Sequence, residues 1–263
     1  MSFFRIIIPN YNNEKWLSNC INSVLNQTYT NYDLVFIDDV STDNSVDIAG
    51  ELIGDDGLII GSDAKLWNGG ARNVGLNCHY DARYTLFLDS DDWLVDDSVL
   101  QDLHDFIIDE EYPDCVRLSY TCEYDGNKSV NVQLTDSTVE GLVKSCFVAC
   151  WTKCIKSDLV QKFPENTLME DVVQHIKQCD VIKEVVPYSK PVIVHNRNNM
   201  NSITRKENLD CQHGKWHSSM YRYMADLLDL ELEHDYCKKV REDRCAACLK
   251  NIKNGVYSQS IIN

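Results

Sequence analysis

Three carboxylates within four residues, Asp89, Asp91 and Asp92, follow the apolar run Thr85-Leu86-Phe87-Leu88. Like charges this close repel unless a cation or hydrogen bonds neutralise them. A hard divalent ion, Mn2+ or Mg2+, suits an all-oxygen ligand set and bridges substrate phosphates. One of the three can instead cap the next helix, but a cap needs one carboxylate and not three. A second acidic pair, Asp38–Asp39, closes another apolar run. It fits either a hydrogen-bond acceptor for a base or ribose or a turn over Asp38 to Asp43. A third pair, Glu170–Asp171, opens a stretch of helical pattern (Val172, Val173, Ile176). It reads as helix N-terminal charge or as an acid–base group. His195 suits a metal or diphosphate ligand on a closing loop, or a partly buried strand histidine. Trp151 suits an acceptor wall stacked on a sugar face, or a core position. Cys245-x-x-Cys248, with Cys237, Cys211 and His213 upstream, lacks the paired spacing of a zinc site, so no structural metal is expected there.

The elements that would hold these groups alternate. Strands are expected at Phe3–Ile8, Tyr32–Ile37, Gly57–Ile60 and Tyr84–Leu88, the first ended by Pro9. Between them fall helical patterns at Trp16–Leu25, Ser45–Leu52 and Ala71–His79, the last opened by Gly69 and Gly70. This order predicts an α/β fold, a doubly wound and mostly parallel sheet. Ligands in such sheets bind beyond the carboxyl ends of the strands, where Asn10–Tyr11, Asp38–Asp39 and Asp89–Asp91 fall. Further on, a helix is expected at Ser98–Ile108. Cys115–Tyr124 and Ser129–Leu134 pair as a hairpin across Asp125-Gly126-Asn127. Helices follow at Val139–Cys150 and Leu168–Cys179, a strand at Pro191–His195, and a helical tail from Glu207.

The 263 residues are enough for one large domain with a substantial core. With 41 acidic against 25 basic residues, the net charge of −16 disfavours a broad grip on nucleic acid or an anionic membrane. The opening MSFFRIIIPN reads as a buried strand rather than a secretion signal, and no apolar run approaches the ~20 residues of a membrane span. The 12 cysteines are irregularly spaced, and Cys20, Cys78 and Cys115 sit in apolar contexts. Reduced, buried thiols in a cytoplasmic protein are therefore expected.

In order along the chain, these segments resemble glycosyltransferase family 2, with its GT-A fold. The resemblance runs over about residues 3 to 205. It is carried by Ile6-Ile7-Ile8-Pro9-Asn10-Tyr11-Asn12-Asn13, Ser23-Val24-Leu25-Asn26-Gln27-Thr28, Ile37-Asp38-Asp39-Val40-Ser41-Thr42-Asp43-Asn44-Ser45, Gly70-Ala71-Arg72-Asn73-Val74-Gly75 and Phe87-Leu88-Asp89-Ser90-Asp91-Asp92. Trp151-Thr152-Lys153, Phe163-Pro164-Glu165 leading to Met169-Glu170-Asp171, then His195-Asn196-Arg197 and Ser202-Ile203-Thr204 complete it. Two positions depart from the pattern. Val40 replaces a common glycine, which is tolerable if the turn needs no positive φ. Asn199 stands where a second arginine is common, which bears on diphosphate or acceptor contacts.

The resemblance implies a GT-A architecture with a smaller mixed acceptor-side sheet and a C-terminal helical tail. Residues 1–100 would form the nucleotide-sugar-binding half, 101–205 the acceptor-binding and catalytic half, and 206–263 an appendage. Pro9, Asn10, Tyr11 and Asp39 would hold the nucleotide, most often through uracil. Gly70, Arg72, Asp89, Ser90 and Arg197 would contact the ribose, diphosphate or sugar. Asp91, with Asp89 and His195, would bind Mn2+ or Mg2+, and Trp151 and Asp92 would face the acceptor. Asp171 would be the general base of an inverting transfer, with Glu170 beside it. A carboxylate near the acceptor hydroxyl, an oxocarbenium-like sugar carbon and a neutralised leaving diphosphate are what such a reaction requires.

The implied activity is transfer of a hexose or N-acetylhexosamine from a uridine diphosphate sugar to an acceptor hydroxyl. A glycan, a protein, a small molecule or a modified nucleobase all remain open as acceptor, and a homodimer is compatible. Two alternatives are a Mg2+-dependent nucleotidyltransferase and a non-enzymatic nucleotide-sugar or carbohydrate-binding protein. The first would need a glycine-rich phosphate loop, and Ile8 to Asn13 has no glycine. The second would tolerate loss of Asp171.

Overall fold

The computed structural model describes residues 1–78, 81–124, 128–144, 148–165, 167, 169–200, 202 and 225–254. The N-terminal part alternates as the sequence predicts: β1 (Ser2–Asn10), α1 (Glu14–Leu25), β2 (Tyr32–Asp38), α2 (Ser45–Ile53), β3 (Leu58–Gly61), α3 (Trp67–Asn77) and β4 (Ala82–Phe87). Then follow β5 (Trp93–Leu94), α4 (Val99–Asp109), β6 (Cys115–Tyr124), β7 (Lys128–Val132), α5 (Val139–Lys144), β8 (Lys153–Lys156), α6 (Glu170–Val181), β9 (Val185–Asn196) and α7 (Asp235–Asn254). Among the described residues, nine strands form one sheet in the order β3-β2-β1-β4-β8-β6-β9-β5, with β7 beside β6. The first four are parallel; β8 runs antiparallel to both β4 and β6, β9 parallel to β6, and β5 antiparallel to β9.

The smaller mixed sheet expected on the acceptor side is therefore continuous with the parallel one, joined through β8. The two-residue β5, too short to read from periodicity, crosses back from the acidic strand end to pair Trp93 with Val194. That pairing lays the 89–92 segment against the end of β9.

β1 is buried from Phe3 to Asn10, which explains its unbroken apolar run. It continues through Pro9, where the sequence suggested an end. Pairing with β4 stops at Ile7–Phe87, while β2 pairs on to Asn10–Asp38. Ile7 carbonyl accepts from Leu88 and Asn10 carbonyl from Asp39, so residue 9 turns its missing N–H toward β4 beyond the last ladder bond. On α1, Leu17, Cys20, Ile21 and Val24 form the buried stripe at helical spacing. Each such aliphatic side chain contributes about 1.5–3 kcal/mol by leaving water.

Further differences have local causes. The helix expected over Val139–Cys150 is helical only to Lys144 among described residues; Ala149 is extended, and Cys150–Thr152 is a 3₁₀ turn. β9 is longer than Pro191–His195: it pairs with β6 from Val185, holding Pro187 opposite Arg117, and passes Pro191 through register shifts at Leu118/Ser119 and Ser119/Tyr120. The central turn of the expected hairpin, 125–127, lies outside the described residues, as does most of the tail between 203 and 224, including Cys211 and His213. Cys115 and Cys20 are buried thiols, whereas Cys78 is only half-buried; no disulfide forms among the described cysteines. Cys237, Cys245 and Cys248 pack in a second core with Leu227, Val173 and Ile176, which joins α7 to α5 and α6.

α3 lies against β1 and β2 at Gly75. A β-carbon there would stand 2.6 Å from Ile7 Cγ2 and 2.9 Å from Ile37 Cδ1, closer than packed carbons allow. Gly75→Ala is expected to destabilise the chain by about 1–3 kcal/mol, the usual effect of overpacking. Urea denaturation checks this, and a midpoint equal to that of the parent would contradict the packing described.

Candidate active site

The site forms where β1, β2, β3 and β4 end at their carboxyl edges and α6 begins. Its centre is Arg72. On α3, Gly69, Arg72 and Asn73 are spaced i, i+3, i+4 and so share a face. Gly69 lets that face approach closely, since a β-carbon there would lie 2.5 Å from the Pro164 carbonyl oxygen. Asn73 locks the approach: its Nδ2 donates to Phe163 O and its Oδ1 accepts from Phe163 N, both at 2.9 Å. Arg72 then reaches Asp89 Oδ1 through Nη2 at 2.8 Å, and Glu170 Oε1 (2.9 Å) and Asp171 Oδ1 (3.2 Å) through Nη1. Its side chain is 1% exposed.

Three carboxylates around one guanidinium leave the cluster net negative. Burial would lower the Arg72 pKa, but the surrounding anionic groups outweigh it and raise it well above its ordinary value. Burial, then the neighbouring Asp171 charge, pushes Glu170 up to about 7 despite Arg72. Asp171 is raised as well, chiefly by burial and against the pull of Arg72. A helix start favours the ionised carboxylate, but at Asp171 burial is the stronger influence. A carboxylate of raised pKa is a better proton acceptor when ionised.

The acidic strand end does not act as one cluster. Asp89 is turned to Arg72. Asp92 is buried, accepts from Asn196 N–H at 2.8 Å and faces His195 Nδ1 at 3.1 Å. Expected to face the acceptor, its carboxylate is bonded to His195 and the Asn196 N–H. Burial opposes the charged form of His195, but Asp92 and its hydrogen bond outweigh that and raise the imidazole pKa. His195 also stacks on Trp151 at 4.9 Å, and Trp151 meets Tyr120 edge-on, so Trp151 is a packed wall rather than an exposed platform. Asp91 accepts from Asn199 Nδ2 at 2.7 Å, and the same amide donates to Asn13 Oδ1. Burial, then the Asp92 and Asp89 charges, pushes Asp91 up to about 7. Ser90 is buried and accepts from Asn13 Nδ2 at 2.8 Å.

At the nucleotide end, Asp39 is already engaged. It accepts from Leu66 N–H (2.6 Å) and Trp67 N–H (2.9 Å) and pairs with Lys65 Nζ at 2.8 Å. Both oxygens are taken, so in this structure Asp39 anchors the start of α3 rather than presenting free lone pairs to a base. Lys65 Nζ also lies 2.9 Å from the centroid of the Tyr11 ring, which is otherwise exposed. Asn10 is buried and braces Asp38 and Ser41. Val40 has φ 62°, so the turn does need the left-handed backbone that glycine takes freely. Asn12 and Trp67, at the same mouth, share that conformation (φ 52° and 62°). Such residues carry about 1–3 kcal/mol of strain each.

Arg72, assigned to the ribose or diphosphate, is instead enclosed by carboxylates. Gly70 packs its face on Leu66, Pro9 lies within β1, and Arg197 is exposed with Nη1 3.5 Å from His195 Nε2. Sequence reading gave no role to Lys65 or Asn13, although Asn13 closes the first motif of the resemblance. Asn199, noted as a missing arginine, is the residue that holds Asp91.

The donor chemistry fits a divalent cation. Asp91 carries a charge that its surroundings disfavour, which a cation would relieve. His195 bonds a carboxylate through Nδ1, the support that metal-bound histidines characteristically have. Among the described residues, however, no three His, Cys, Asp or Glu side chains converge as a preformed cage.

A family model, Glycosyl transferase family 2, matches residues 5–148. The chain belongs to glycosyl transferase family 2. It is 40% identical over 97 residues to glycosyltransferase GlyA of Streptococcus pneumoniae, covering 36% of this chain and 14% of that protein. The chain spans only 14–42% of the length of the first curated relatives it matches. S. aureus TarS, solved in complex with UDP-GlcNAc, superposes with a TM-score of 0.72 at 21% identity, over 98% of this chain and 74% of that one. A mannosyltransferase from Pyrobaculum calidifontis, in complex with GDP-Man and Mn2+, gives 0.62 at 13% identity, over 99% and 77%. These likenesses establish the GT-A type fold well beyond the segment that the family model covers. No helix among the described residues is long and apolar enough to cross a membrane.

Arg72→Met leaves Asp89, Glu170 and Asp171 without their shared cation. Breaking a buried pair in this way is expected to cost about 3–5 kcal/mol at pH 8. The folded variant would hold carboxyl protons that the unfolded chain releases, so its stability should rise as pH falls from 8 toward 5. Urea denaturation at several pH values checks this; a pH-independent deficit would contradict the electrostatic account.

Proposed function

We propose that the chain is a metal-dependent, inverting glycosyltransferase that moves a sugar from a nucleotide-diphosphate sugar to an acceptor hydroxyl, with uridine diphosphate as the carrier and Asp171 as general base. The observation that carries this reading is the Arg72 cluster, which ties the acid pair opening α6 to the acidic end of β4. The TarS complex with UDP-GlcNAc supports a UDP-linked donor, and the Mn2+ complex of the mannosyltransferase supports a divalent cation.

In this reading Asp171 takes the proton of the attacking acceptor hydroxyl. Arg72 fixes one of its oxygens and leaves its raised basicity to the other. Glu170, pushed up to about 7, holds a proton part of the time and limits the negative charge beside the base. Asp91, with Asp89 and His195, would hold Mn2+ or Mg2+, which when bound offsets the charge gathering on the leaving diphosphate. Asp92 and Trp151 keep His195 in place.

Asp171→Asn keeps the shape and removes the base. Donor affinity in the presence of Mn2+ should stay within about threefold, while transfer falls roughly 10²–10⁴-fold, the usual contribution of a general base. Calorimetry with a UDP-sugar and a radiolabelled transfer assay read the two separately. Turnover near that of the parent would assign the base elsewhere.

A further inference from the structure

Lys153 is a buried cation to which the reaction above gives no part. It opens β8, is fully buried, and its Nζ donates to the carbonyls of Val148 (3.0 Å) and Ala149 (2.9 Å). Burial, then the nearby Arg117 charge, pushes its pKa down to about 8. A buried ammonium held only by carbonyls is an expensive way to build a core. What those carbonyls lead into is the 3₁₀ turn Cys150–Thr152. The turn delivers two side chains to the site. Trp151 stacks on His195. The Cys150 thiol hydrogen-bonds the Asp171 carboxylate. Arg117, on β6 and also fully buried, braces the same turn: its Nη1 donates to Thr152 Oγ1 at 2.7 Å, and that hydroxyl donates to Ala149 O at 2.7 Å.

We infer that Lys153 is a positioning residue for sugar transfer: it fixes the turn that sets Cys150 and Trp151, and with Arg72 it supplies the positive charge that Asp171 works against. This rests on the reading of Asp171 as base. The groups facing Asp171 are Arg72 from α3, Glu170 from α6 itself, Asp89 from the end of β4, Cys150 from the turn and Lys153 from β8. Those facing Lys153 are Arg117 and Cys115 from β6, Cys150 from the turn, and Cys179 and His175 from α6. Buried in this shell, His175 is held far below its usual pKa and stays neutral, so it adds no charge. Removing the lysine charge therefore raises the Asp171 pKa, since a cation favours the carboxylate.

The test uses the full chain and the variants Lys153→Met and Cys150→Ala. For Lys153→Met, affinity for a UDP-sugar with Mn2+ should stay within about threefold of the parent. The acid limb of the kcat–pH profile should move up by about one unit, the size of a nearby charge's effect, and kcat at pH 6 should fall roughly tenfold with it. Cys150→Ala should move the limb the same way by less. A folded Lys153→Met with an unmoved acid limb would overturn the inference, as would kcat and donor affinity falling together with the limb in place. If Lys153→Met does not fold, an unmoved limb in Cys150→Ala overturns it instead. Carboxyl 13C NMR of Asp171 reads the same shift without turnover. A parent chain inactive with every nucleotide-sugar, yet showing that NMR shift, would overturn the transfer reading and support the coupling of Lys153 to Asp171.

Discussion

One guanidinium holds the candidate site together. Arg72 comes from α3, in the parallel half of the sheet, and its partners come from the end of β4 and the start of α6. Without its charge, three carboxylates would face one another in a partly dry crevice, where Coulomb repulsion is least screened. With it, the acids remain together while their proton affinities stay high. The packing around it serves that contact: Gly69 permits the close approach, Asn73 fixes it through Phe163, and Gly75 seats α3 on β1 and β2.

The same logic repeats at smaller scale. Asp92 neutralises and aims His195; Asn199 steadies Asp91; Asp39 gathers the amides of Leu66 and Trp67 and the ammonium of Lys65. Each acid at a strand end has a distinct set of partners. Three left-handed residues, Asn12, Val40 and Trp67, shape the mouth above them. Strain of this kind persists only where surrounding bonds over-determine the backbone. Here those bonds include Asn12 with Ser41 and Thr42, and Asp39 with Trp67.

The N-terminal half was legible because its signals are local. Apolar runs mark β1, β2 and β4, the first closing on Asn10 and the other two on acids, and helical stripes lie between them. The family resemblance named the acid pair of α6 and His195 as expected site residues; the structure sets the pair on Arg72 and His195 on Asp92. What stayed hidden depends on distant partners. That Arg72 faces carboxylates, and not phosphate, follows from α6 docking on α3, 98 residues away in sequence. The strain at Val40 follows from its turn, and the two-residue β5 exists only because β9 is there to pair with it. The resemblance included Lys153 only as part of Trp151-Thr152-Lys153, and its burial follows from β8 lying between β4 and β6.

The central claim is that this site takes a nucleotide-diphosphate sugar together with a divalent cation. Thermal unfolding against a panel of UDP- and GDP-sugars, each with and without Mn2+ or Mg2+, tests it most directly. A donor at a hundred times its dissociation constant should add about 2.7 kcal/mol of stability. The account predicts a clear rise in melting temperature with a UDP-sugar that requires the metal; no rise with any nucleotide-sugar, with or without metal, would contradict it.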